Sequence, residues 1–236
     1  MRILLAVLSV VVSTGCQKTN REVLDAAKPA WATVRSSLPA LQKLVNGAPA
    51  EGKLAGVWWN EKDTAKATVS FITAEQLRDP DVELDEGQQL SRLDLYEGGN
   101  FLNCLQWTGP RNPMSARAMD ERNGDSIRAQ CDAGLATKYL VVLDTLESAL
   151  PELTGEGVFA GGEATVRVTV IDRLASKALV TFVVEGKPGE KVRYEVRPGE
   201  EQAAKLAQAV HSTMWGDAKR QIFEGLRQRG ATITPR

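Results

Sequence analysis

Few residues in this chain are equipped for chemistry. It has three cysteines, Cys16, Cys104 and Cys131, and a single histidine, His211. One imidazole excludes any site built on two, and a zinc site would need both Cys104 and Cys131 beside His211. A cysteine next to His211 would make a nucleophile and base. His211, however, sits among Ala and Ser in a helical pattern, and both cysteines read as structural. No Walker loop, Gly-x-Ser-x-Gly elbow, His-Glu-x-x-His string or Cys-x-x-Cys pair occurs. Gly155-Glu156-Gly157-Val158-Phe159-Ala160 matches Gly-x-Gly-x-x-Ala. A dinucleotide site needs a strand before that string and a helix after it. Here a strand follows, so the string reads as a glycine-rich turn.

Two other groups bear on binding. Asp79, Asp81, Glu83 and Asp85 recur at every second residue. In an extended chain they share one face, and four carboxylates could hold Ca²⁺. The EF-hand glycine and twelfth ligand are missing, so a solvated acidic loop is the plainer reading of 79–86. Trp58-Trp59 points to both faces of any strand, leaving one ring for a sugar, a partner or a covering loop. Arg167 and Arg193 fall at strand positions; a ligand clamp is one reading, and solvent-facing sheet residues are the plainer one. Carboxylate pairs would suit a glycosidase, but thirty acidic residues offer too many pairs for the sequence to select one. The sequence thus assigns no catalytic residue, no metal and no cofactor, and Trp58 and Trp59 are its candidate ligand or partner contacts.

The chain has 236 residues, enough for one large domain or two small ones, with a sizeable core. Hydrophobic residues make up 43% and charged residues 25%, the balance of a folded globular protein rather than a disordered one. A formal net charge of −1 gives no electrostatic basis for binding nucleic acid.

The elements that would position these residues follow from pattern. Thr19-Asn20-Arg21-Glu22 has capping-box spacing. After it Leu24, Ala27, Trp31, Val34, Leu38, Leu41 and Val45 step by threes and fours along one helical face. Pro29 and Pro39 predict a kink or two shorter helices, with Ser36 or Ser37 capping the second. Residues 53–59 and 67–73 read as a hairpin turning at 60–63. A short helix is expected within 114–120, and the Pro- and Gly-containing stretch 108–124 is the one candidate sub-domain boundary. Tyr139 to Leu143, Ala164 to Asp172, Ala178 to Glu185 and Val192 to Val196 read as strands. The 178–185 strand, apolar on both faces, is expected to be central. Gly199 to Arg229 is helical, with a break at Gly216-Asp217. The expected fold class is α+β: an N-terminal helical segment, a small β-hairpin region, then an antiparallel meander covered by a C-terminal helix.

The first sixteen residues carry a resemblance. Arg2 is a minimal charged start, Ile3 to Val12 is apolar except for Ser9, and Ser13-Thr14-Gly15 precede Cys16. This is the anatomy of an export signal, and the apolar run is too short to span a bilayer. Thr14-Gly15-Cys16 resembles the lipobox of bacterial lipoproteins. Ser13 stands where that family usually has an aliphatic residue, which leaves cleavage without lipidation as the alternative. The resemblance implies a signal peptide over 1–15, a diacylglyceryl and palmitate-class anchor on Cys16, and a single domain over 16–236 in the cell envelope. Gln17, in place of an Asp, points to the outer membrane. Export and lipidation would leave Cys104 and Cys131 as the one disulfide in an oxidising compartment. The expected role is non-enzymatic, binding an envelope protein partner or maintaining the cell surface. The alternatives are a small-molecule or glycan-binding module using Trp58 or Trp59, and an envelope hydrolase using carboxylates.

Overall fold

The computed structural model describes residues 18–60, 68–82, 100–149, 151–155 and 158–234. Its first element is α1 (Asn20–Asn46), and the capping box forms as the spacing requires. Glu22 N–H donates to Thr19 Oγ1 at 3.3 Å, and Thr19 N–H donates to Glu22 Oε2 at 2.8 Å. Leu24, Trp31, Val34, Leu38, Leu41 and Val45 are buried, and Ala27 is half-buried. The two-helix form does not occur, because α1 runs unbroken through both prolines. Pro29 and Pro39 lie on its solvent face, where the carbonyls they leave without an amide partner can bond to water. Ser36 and Ser37 do not cap. Their hydroxyls donate to the carbonyls of Thr33 and Val34, at 2.8 and 2.7 Å.

After β1 (Trp58–Asn60), β2 (Val69–Thr73) leads into four helices: α2 (Ala74–Arg78), α3 (Asn100–Trp107), α4 (Ala116–Asp120) and α5 (Gly124–Ala136). Then come β3 (Tyr139–Ala149), β4 (Glu152–Gly155), β5 (Val158–Ala160), β6 (Glu163–Asp172) and β7 (Lys177–Gly186). The chain ends in α6 (Gln202–Gln228) and β8 (Thr232–Thr234). The main sheet has the order β2-β3-β6-β7, with β2 parallel to β3 and the other pairs antiparallel.

Strand alternation divides the interior in two. Leu140, Val142, Ile171 and Ile72 face a cluster containing Leu24, Trp31, Leu41, Phe101 and Ile127 of α1, α3 and α5. Val141, Leu143, Val166, Val168, Val170 and Val180 face a cluster containing Met214, Trp215, Ile222 and Leu226 of α6. The architecture is α+β with a mixed sheet, helices on one face and the C-terminal helix on the other.

Three local expectations are overturned, and a fourth falls partly outside the described residues. First, of the hairpin expected over 53–73, the turn and residues 61–67 lie outside the described residues. The flanking strands have other partners as well: β1 pairs in parallel with β8, and β2 pairs in parallel with β3. Thr68 N–H donates to Trp58 O at 3.0 Å between the two segments. Second, β7 is an edge strand rather than a central one. Its outer edge is covered by the segment after α1: Thr181 N–H donates to Pro49 O at 2.7 Å, and Gly52 presses on the Leu179 carbonyl. Burial there comes from a loop, which strand pattern cannot tell from a neighbouring strand. Third, 192–196 is not a strand. The Lys187 amide, which would extend a ladder, donates instead to Asp217 Oδ2 at 3.2 Å, and Pro188 has no N–H to give. β3 completes the antiparallel meander in its place. Fourth, α6 is continuous across Gly216-Asp217. Trp215 and Ala218 are buried on either side, and their packing holds the helix together.

Candidate functional site

Cys104, on α3, and Cys131, on α5, form a disulfide with Cα atoms 5.3 Å apart. Both are buried, and the bond ties the two helices that flank the irregular stretch between them. That stretch is held elsewhere too. Gln106 Nε2 donates to Pro80 O at 2.8 Å, and Asn20 N–H donates to Glu121 O at 2.9 Å. The disulfide is the mark of an oxidising compartment. It also removes both thiols from any Cys–His pair. His211 is buried in α6, where its Nε2 accepts from Trp215 Nε1–H at 3.1 Å. The imidazole thereby holds a buried indole N–H satisfied, a structural task.

The tryptophan pair divides as the strand geometry demands. Trp59 is buried, with ring centroids 5.5 Å from Phe71 and 5.1 Å from Phe223. It is part of the core beneath α6. Trp58 is half-buried. A sugar platform built from both rings is therefore not available, and Trp58 alone keeps an accessible face.

The acidic run is only partly in view. Glu83 and Asp85 lie outside the described residues. Asp79 Oδ1 accepts from the Asp81 amide at 3.1 Å, and Asp81 pairs with Arg35 at 3.0 Å. Arg35 also donates to Leu105 O at 2.5 Å, so Arg35 ties α1 to α3 as well as to Asp81. Among the described residues, no group of three or more His, Cys, Asp and Glu converges as metal ligands. Other part-buried carboxylates also sit opposite cations: Asp144 with Arg167, Asp172 with Lys138 and Asp217 with Arg220. Burial pushes the Asp217 carboxyl up. Hydrogen bonds from Arg220, Gln221 and the Lys187 amide outweigh it and hold the group below its ordinary value. Arg167 is thus half of an ion pair within the sheet, while Arg193 is exposed outside any strand.

The Gly-x-Gly-x-x-Ala string falls between β4 and β5, an antiparallel pair, with 156–157 outside the described residues. A strand on each side gives no helix N-terminus for a pyrophosphate. A groove of 620 Å³ runs between Val158, Phe159, Gly162 and the Lys187-Pro188-Gly189 turn. At the same end of the sheet Leu146 is the extra residue of a β-bulge opposite β6. Leu146, Val158 and Val183 are 44%, 57% and 53% exposed. No sequence signal pointed to this surface. Val183 fell within the strand expected over 178–185, Leu146 beyond the one expected over 139–143, and Val158 within the glycine-rich string.

Cys16 lies outside the described residues, but the chain two residues on is firmly placed. The Gly124 amide donates to Lys18 O at 3.1 Å, and Asn20 Nδ2 donates to Ala118 O at 2.8 Å. Among the described residues no helix is long and apolar enough to cross a membrane. No protein-family model, curated protein or solved structure matches this chain.

Proposed function

We propose that the protein is an exported bacterial lipoprotein of the cell envelope, anchored by acyl chains on Cys16, and that its domain binds a protein partner without catalysing a reaction. The observation that carries the anchoring half is the buried Cys104–Cys131 disulfide. It accounts for two of three cysteines and leaves Cys16, at the end of a signal-like run, as the one available for lipid. Several acyl chains, at about 0.8 kcal/mol per buried methylene, hold a protein where one does not. Gln17 favours the outer membrane. The binding half is supported by the open sheet end bearing Leu146, Val158 and Val183.

Two experiments test the reading. Cys16→Ser should leave the protein soluble or unprocessed, and a mature-sized variant still in the membrane fraction would contradict the anchor. A photocrosslinker at position 183 should capture a defined partner in intact envelopes. The same probe at Leu174, more exposed still and in the β6–β7 turn at the opposite end of the sheet, should not. Equal capture at both positions would contradict the assigned surface.

A further inference from the structure

We infer that the domain is seated directly on the phospholipid headgroups, with the corner between α4 and α5 facing the bilayer. This rests on the Cys16 anchor and adds orientation to it. Two residues, Cys16 and Gln17, precede Lys18. Two extended residue steps span about 7 Å, so the lipidated residue stays that close to the Lys18 backbone. Lys18 is not free to swing. Its carbonyl accepts from Gly124 N–H at 3.1 Å. Asn20 is 2% exposed, its amide donates to Glu121 O at 2.9 Å, and its side chain donates to Ala118 O. Arg21 pairs with Asp120 at 3.0 Å. Gly124 fits so closely that a Cβ there would lie 2.6 Å from Lys18 O and 2.8 Å from Val23 Cγ2. The tether therefore ends in packed structure, and there is no linker over which the domain could tumble.

The surface around that point suits a headgroup layer. Lys18, Arg117, Arg122 and Arg128 are exposed beside it, with Glu121 and Asp125 among them. Long cationic side chains reach lipid phosphates while their stems stay at the interface. With Arg21, Glu22 and Asp120 also exposed there, five cations face four carboxylates, so the acyl chains supply the affinity and this corner supplies contact. At the other end, α1 has risen 27 residues, about 40 Å. There Pro49 meets Thr181 of β7, two residues from exposed Val183. The seat thus carries the open sheet end away from the anchor.

The test uses the full-length lipidated protein in vesicles of phosphatidylethanolamine and phosphatidylglycerol. A fluorophore is placed through Ser126→Cys, at the α4–α5 corner, or through Val183→Cys. Cys16 is acylated and Cys104–Cys131 is bonded, so each variant offers one thiol. A nitroxide on the lipid headgroup should quench the probe at 126 several-fold more than the probe at 183. A flexible Gly-Ser linker inserted after Gln17 should abolish most of that difference. Equal or reversed quenching on protein shown by mass to carry lipid overturns the seat and leaves the anchor intact. Protein recovered from the envelope without lipid on Cys16 overturns both.

Discussion

The amide of Gly124 donates to the carbonyl of Lys18 at 3.1 Å, and that carbonyl leaves no room for a β-carbon on the glycine. Lys18, the first described residue, is in this way locked to α5. Gly124→Val should force the Lys18 backbone away. Overpacking of this kind costs about 1–3 kcal/mol, larger than the gain in helix propensity from losing a glycine. Urea unfolding should show a lower midpoint at an unchanged slope. A midpoint equal to wild type would mean that 18–20 is not held as described.

Removing the disulfide should be costly. The bond closes a loop with a sequence separation of 27. The chain-entropy model assigns about 3.5 kcal/mol to such a closure. The double variant Cys104→Ala, Cys131→Ala should melt well below the oxidised protein, and reduction of the wild type should reproduce much of that loss. Alkylation of denatured, unreduced protein should label neither residue. Labelling of both in protein taken from the envelope would refute the bond.

The two adjacent tryptophans should behave differently. Trp59 packs on Phe71 and Phe223, so Trp59→Ala should destabilise by about 3–5 kcal/mol. Trp58 is half-buried, and Trp58→Ala should cost clearly less. Thermal unfolding of the two variants separates the roles. The reverse order would place the wrong ring in the core.

Asp217 gives a pH dependence with a defined sign. Its carboxyl is held below its ordinary value despite burial, by Arg220, Gln221 and the Lys187 amide. A depressed folded pKa stabilises above the unfolded value, near 3.9, and that contribution is lost as pH falls through the folded pKa. The stability gap between wild type and Asp217→Asn should therefore be full at pH 6 and shrink below about pH 4. A gap that widens on acidification would contradict the assignment.

These residues also show what could be read in advance. α1 was legible because Thr19 and Glu22 cap it and large apolar residues mark its stripe. β6 and α6 were legible for the same reason, since valines alternate in one and Leu206, Val210, Met214 and Ile222 recur in the other. α5 was not legible. Its buried face is Gly124, Ile127, Cys131 and Gly134, and small residues leave no hydrophobic signature. Gly134 is buried because it meets Asn100 O and the Trp31 ring, a contact defined only in three dimensions. Strand pairing was illegible for a different reason. β1 pairs with β8 at the far end of the chain, and pattern marks a strand without naming its neighbour. The disulfide could be expected once two cysteines and an oxidising destination were granted. The exposed end of the sheet could not, because Leu146 is the extra residue of a bulge and Val183 is left exposed although Pro49 covers the edge of β7 at Thr181.

The proposed acyl anchor on Cys16 is open to intact mass measurement of the chain extracted from bacterial envelopes, followed by fragmentation from its N-terminus. The expected product is a mature chain beginning at Cys16, heavier than its sequence by a diacylglyceryl group and an amide-linked acyl chain. An unmodified cysteine at the mature N-terminus, or a chain that still begins at Met1, would rule the anchor out.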